Sequence, residues 1–202
     1  MADSTPRIPS RDDIRRILDA GDDAPSGAAL PTAALSTAAI PTADEQLRIV
    51  DALYRFGAGQ DLRDRVLFES AFAADAALDF TGPAQRLGVT IPVFTGRKTI
   101  ADTIFATIGD LDTTHTVTNP RVTAFDGDHA TLFTLVEAQH LPRADHGRHL
   151  LLKNIYVAEL VKRAGRWLIE RLQIDNVWLS GDPSVLFPAT AQKGVLPENS
   201  HA

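Results

Sequence analysis

The chain has 202 residues, with 26 acidic against 20 basic side chains, a formal net charge of -6 and no cysteine. That balance offers no basic footprint for nucleic acid or an anionic membrane. The lack of thiols excludes disulfides, thiolate catalysis and cysteine-ligated metal sites.

No run approaches the roughly 18 apolar residues of a membrane span, and the first twenty residues carry arginines and aspartates without an apolar core, which predicts a cytoplasmic protein. Residues 1–42 read as a flexible or extended leader. Ala, Pro, Ser, Thr and Gly dominate from Asp22 onward, and Pro25, Pro31 and Pro41 interrupt any helix that alanine would favour. Within it, Ile14 to Leu18 has the makings of one short helix, suited to an oligomer arm.

Order is expected from Thr42-Ala43-Asp44-Glu45, a hydroxyl cap followed by early acidic residues. Leu47, Val50, Tyr54, Ala58 and Asp61 recur at spacings of three and four and so share a helix face that ends in a carboxylate. Gly57 and Gly59 thin the last turns and allow another segment to approach. A second helix is predicted over 63–74, then a short strand from Asp75 to Phe80, a turn at Thr81-Gly82-Pro83, and a loop over 84–96. Ile100, Ile104, Phe105 and Ile108 give the packing face of a third helix, over 97–108, that Gly109 stops.

The stretch Asp112 to Pro120 is polar and β-branched, which favours a strand at a sheet edge with His115 fixed in its middle and a bend at Asn119-Pro120. A histidine there serves either as a structural group bonded to backbone or as a reactive one. Residues 119–125 and 129–140 flank Asp126-Gly127-Asp128, a hairpin signal. A second strand pair, 147–161 and 166–178, is joined by Lys162 to Gly165. Helices followed by long antiparallel strands predict an α+β domain over 43–180 whose curved sheet encloses a pocket. The tail, 181–202, holds Phe187 as a candidate cover for the pocket mouth.

His115, His149 and Asp61 are the ionisable groups that this architecture directs into one cavity. His129, His140, His146 and His201 read as solvated. The first three also form a conceivable two-histidine, one-carboxylate metal set, but no motif spacing for a metal, nucleotide or nucleophile elbow occurs.

Several separated segments together resemble the SnoaL-like branch of the nuclear transport factor 2-like superfamily, with the scytalone dehydratases, polyketide cyclases and dehydrochlorinases most similar. They are Asp61-Leu62-Arg63-Asp64 leading to Leu78-Asp79-Phe80, then Thr113-Thr114-His115, Gly147-Arg148-His149, and Gly165-Arg166-Trp167 through Trp178. The resemblance implies a conical α+β barrel of the cystatin-like type, with three N-terminal helices against a strongly curved, mainly antiparallel sheet. It implies a pocket for a small, cyclic, largely apolar metabolite, no cofactor and no metal, and a homo-oligomer, dimer or trimer, formed through the sheet exterior.

Carried onto this chain, the resemblance makes His115, Asp61 and His149 the catalytic candidates of an acid-base lyase or isomerase. Tyr54, Gln60, Phe80, Asp64, Arg148 and Trp178 become candidates for the pocket. Gln60 and Phe80 stand where the dehydratase has two tyrosines, and phenylalanine cannot donate a hydrogen bond, so scytalone itself is not the expected substrate. A non-catalytic small-molecule-binding role is the alternative.

Overall fold

A computed structural model of the protein describes residues 40–188. The leader, apart from its last three residues, and most of the tail, with the predicted helix at 14–18 and His201, lie outside them.

Helix α1 (Ala43–Asp61) starts at Thr42, whose hydroxyl accepts the Glu45 amide at 3.2 Å, with Asp44 and Glu45 in the first turn. Of the predicted apolar stripe only Val50 is fully buried. Leu47 and Tyr54 are exposed, and Ile49, Ala52, Leu53, Phe56 and Gly57 are buried. Both stripes have helical spacing; the one that fits a neighbouring sheet is the one with Phe56 and the glycines.

Helix α2 (Arg65–Glu69) is a single turn and a half, capped by the Asp64 carboxylate on the Leu67 amide at 2.9 Å. The predicted helix over 63–74 stops there, because strand β1 (Phe72–Asp79) begins at once and pairs in parallel with β6. Sheet pairing and the burial of Phe72, Ala73, Ala76 and Leu78 override the helix preference of the alanines. Helix α3 (Thr81–Arg86) occupies the predicted turn, with Pro83 in its first turn, where no amide proton is needed. The two-residue strand β2 (Phe94–Thr95) and helix α4 (Arg97–Thr107) follow, the latter burying Ile100 as expected.

The C-terminal half is four long strands: β3 (Leu111–Phe125), β4 (His129–Pro142), β5 (Leu150–Arg163) and β6 (Arg166–Gly181). The β5–β6 turn has Ala164 at φ 50° and Gly165 at φ 77°, the left-handed pair of a tight hairpin. In β3, the predicted bend is a bulge: Asn119 has φ 52° and the register with β4 shifts between Thr118 and Arg121.

The sheet order is β2-β1-β6-β5-β4-β3, antiparallel except for β1 with β6. This corrects the expected conical barrel. The sheet is open and mixed, not strongly curved, with β2 and β3 as its edges. A closing strand would have to span the gap between those edges, and β2 is only two residues long. The long strands instead pair in nearly continuous registers.

Helices α1, α2 and α4 lie on one face of the sheet. There Phe56, Phe68 and Phe72 form an aromatic cluster with ring centroids 5.4 to 5.7 Å apart. Each fully buried ring of this kind contributes about 1.5 to 3 kcal/mol relative to exposure. Arg55, buried beside them, donates to the carbonyls of Ser70 and Trp167, which ties α1 to α2 and β6. The cluster sets how close the C-terminal half of α1 comes to β3.

Candidate active site

That half of α1 approaches its neighbours without side chains in the way. A Cβ on Gly57 would sit 3.1 Å from the Cβ of His115, and one on Gly59 would be 2.5 Å from the Phe68 amide nitrogen. The close approach brings Asp61, the last residue of α1, against the start of β3. Its Oδ2 accepts the His115 backbone amide at 2.7 Å. Its Oδ1 accepts His115 Nδ1 at 2.7 Å and the Thr113 hydroxyl at 2.9 Å.

A carboxylate at a helix C-terminus faces the negative end of the helix dipole, so these donors are what keep it ionised. Burial pushes the Asp61 carboxyl up. The hydrogen bond and charge of His115, the His115 amide and the Thr113 hydroxyl push it down further, and the net position is below the usual value. With Nδ1 donating to Asp61, Nε2 is the free nitrogen of the His115 ring.

Beside this pair lies a pocket of about 330 Å³, lined by the rings of His115 and His140 and by apolar side chains that include Phe56, Leu78, Phe80, Ile104 and Phe187. Its second imidazole is His140, not His149. His140 is 5% exposed, and its ring is 6.0 Å from that of His115 in an edge arrangement. Burial, and then the nearby His115, lower it to about 4, so it is neutral at physiological pH. Its Nδ1 faces the Leu150 carbonyl at 3.4 Å, which favours the proton on Nδ1 and leaves Nε2 as an acceptor.

Asn154 and Tyr156 line the same pocket from β5. Asn176 Nδ2 donates to Asn154 Oδ1 at 2.9 Å and to the Trp178 carbonyl at 2.9 Å, which fixes both amides. The buried Asn154 Nδ2 then makes no well-formed hydrogen bond among the described residues and lies beside the Tyr156 phenol, which it favours in ionised form against the larger effect of burial. Burial pushes the Tyr156 phenol up, so it stays protonated.

The predicted site residues thus divide. Asp61 and His115 meet, and Gln60 and Phe80 line the pocket. His149 does not join them: it is exposed just before β5, and its carbonyl accepts the Asp182 amide at 2.8 Å. The conceivable metal set is therefore not assembled, and no group of three potential metal-holding residues occurs among the described residues.

Tyr54 and Trp178 are about half exposed, outside the pocket, and Asp64 is spent on its helix cap. Arg148 is exposed and binds Asp182 at 2.9 Å and Ser184 at 2.9 Å, holding the segment that delivers Leu186 and Phe187 to the pocket. The expectation that His140 is solvated is corrected by its burial in the pocket wall, where Asn154 and Tyr156 join it without any signal in the motifs. The signal for His140 was the alternation Ala130, Leu132, Thr134, Val136, Ala138, in which it is the next inward position.

Residues 41–173 match the SnoaL-like domain. Among characterised proteins, terrestric acid biosynthesis cluster protein E of Penicillium crustosum is 32% identical over 159 residues, covering 75% of this chain and 96% of that protein. A candidate scytalone dehydratase from Novosphingobium aromaticivorans superposes with TM-score 0.58 at 17% identity, covering 67% of this chain and 87% of that one. Hexachlorocyclohexane dehydrochlorinase LinA-type3 from Novosphingobium barchaimii superposes with TM-score 0.58 at 18% identity, covering 68% and 90%. No helix among the described residues is long and apolar enough to cross a membrane. The chain is a member of the SnoaL-like domain family.

Proposed function

We propose that the pocket is a cofactor-independent acid-base site that eliminates water or halide from, or shifts a double bond in, a small neutral cyclic metabolite. The observation that carries this reading is the Asp61–His115 pair, which commits Nδ1 and leaves Nε2 of a pocket-lining ring as the base. In the reaction, Nε2 takes a proton from carbon next to a carbonyl. In elimination the C–H electron pair becomes the new double bond as the C–O or C–halogen bond breaks. The imidazolium, stabilised by Asp61, gives its proton to the leaving hydroxyl, which departs as water, or to solvent when halide leaves. In a double-bond shift nothing leaves, the pair is held in a dienolate, and the same proton returns at another carbon. Asn154 Nδ2 and the protonated Tyr156 are donors for the substrate oxygen, and neutral His140 is an acceptor for a substrate hydroxyl.

Neutrality of the substrate follows from the lining, which holds no Asp, Glu, Lys or Arg among the described residues. A buried charge without a partner is costly. The dehydratase and dehydrochlorinase relatives support elimination chemistry, and the biosynthetic-cluster relative supports a secondary metabolite as substrate.

The test is a screen of cyclic hydroxy-ketones, unsaturated ketones and halogenated rings against the parent, His115→Ala and Asp61→Asn. Turnover by the parent should fall about 10² to 10⁴-fold on loss of the base. Tight binding with no turnover of any compound would instead support the non-catalytic carrier.

The proposal extends to a homo-oligomer built on the outer sheet face. Leu135, Val177 and Trp178 are exposed there, with Lys153 5.7 Å over the Trp178 ring. Light scattering should show a species larger than monomer at tens of micromolar, reduced by Trp178→Glu. A monomer throughout would remove this part.

A further inference from the structure

Arg63 breaks a local rule. It follows the C-cap of α1, and its φ of 57° is the left-handed conformation for which glycine or asparagine is the usual choice. An arginine held there carries backbone strain, so its side chain must supply the reason.

The guanidinium is inserted among three chain ends. Nη1 donates to the Gln60 carbonyl at the end of α1 and lies 3.2 Å from Thr113 Oγ1. Nη2 donates to the Ile108 carbonyl, at 3.1 Å, after α4 and to the Leu111 carbonyl at the start of β3. The Thr113 hydroxyl has one proton to give and is 6% exposed. With Arg63 donating to its oxygen, that proton goes to Asp61 Oδ1, the atom that also holds His115 Nδ1.

We propose that Arg63 and Thr113 are positioning residues of the acid-base pair: guanidinium, hydroxyl, carboxylate and imidazole form one directed hydrogen-bond chain that fixes Asp61 as acceptor and His115 in its Nδ1-protonated form. This rests on the reading of Asp61 and His115 as the reactive pair. Without Arg63 and Thr113, Asp61 would be held only by the His115 amide and ring, could take up a proton on Oδ1, and the His115 ring could then present either nitrogen to the pocket. The ionisable groups around the pair are Arg63 from the α1–α2 turn, His140 from β4 and Tyr156 from β5. Asp112 and Arg143 lie further out and act on Arg63.

The experiment needs no substrate. The Asp61 carboxyl is titrated by carbon NMR and the His115 tautomer is read from ring nitrogen shifts in the parent, Thr113→Val, Thr113→Ser and Arg63→Met. Thr113→Val should raise the Asp61 midpoint by about half a unit or more and mix the His115 tautomers, and Thr113→Ser should restore both. Arg63→Met should act in the same direction, and its effect should not add to that of Thr113→Val. If Arg63→Met does not fold, Arg63→Lys, which keeps the charge but loses the fork, takes its place and should still mix the tautomers.

A Thr113→Val protein with parental fold, Asp61 midpoint and tautomer would overturn the chain and reduce Arg63 to a staple between chain ends. That result would leave the proposed reaction standing. Failure of every substrate in the screen would remove the reaction and leave the chain.

Discussion

The segments 113–115 and 147–149 both end in a histidine beside a long strand, and they have opposite fates. Thr113 and His115 alternate inward within β3, and both bond to Asp61. Arg148 and His149 precede β5, whose inward positions are Leu150, Leu152, Asn154 and Tyr156, and they face solvent and the chain after β6 instead. A histidine's chemistry is decided here by strand parity and by what a neighbouring helix offers, not by the tripeptide around it.

The sharpest way to break this comparison is to remove each histidine in turn. His115→Ala should abolish most turnover of any substrate found, by about 10² to 10⁴-fold, and His149→Ala should leave kcat and KM close to the parent. Comparable losses in the two variants would reverse the assignment.

A smaller effect separates the buried His140 from exposed His149. The folded-state value of His140 lies at about 4, below the value near 6.5 expected unfolded, so the unfolded chain takes up the proton first. Stability is full above about pH 6.5 and is lost as pH falls toward 4, by up to about 3 kcal/mol. Urea midpoints measured from pH 7.5 to 4.5 should show this fall in the parent and in His149→Ala, and a flatter profile in His140→Gln. Parallel profiles in all three would show that His140 is protonated without cost.

The smallest change is expected from Asp182→Asn. Asp182 is held at about 2 by Ser184 and Arg148 but its side chain is nearly half exposed, and such surface pairs are screened. Thermal melts should barely move. A large drop would mean that the clasp at 147–149 stabilises the fold rather than only placing Leu186 and Phe187.

The sequence made the helix start at Thr42, the two hairpins and the place of His115 readable, because each rests on local chemistry: a cap, a left-handed turn, a β-branched run. The Asp61–His115 pairing came from resemblance, since the two are separated by 54 positions. What was not readable depended on distant partners. The run at 71–74 looks helical until β6 is available to pair with the strand that begins at Phe72. The face of α1 was misassigned because two stripes share the same spacing, and only the sheet selects between them. His140 was read as solvated because Pro142, Arg143 and Asp145 mark a polar connection just beyond it, although as the last residue of its predicted strand it keeps the inward parity of Ala138.

The pocket has walls of two kinds. Its polar groups stand on α1, β3, β4 and β5, held by paired strands and a buried helix. Much of its apolar lining, including Val89, Ile91, Leu186 and Phe187, comes from the connection before β2 and from the chain after β6. Connections tolerate insertion and exchange far better than paired strands do. Selection can therefore reshape the cavity for a new ring size or substituent by editing those two segments, leaving the Asp61–His115 pair untouched. If the proposed reaction holds, the polar groups can be kept over generations while the choice of ligand is rewritten in the least regular parts of the chain.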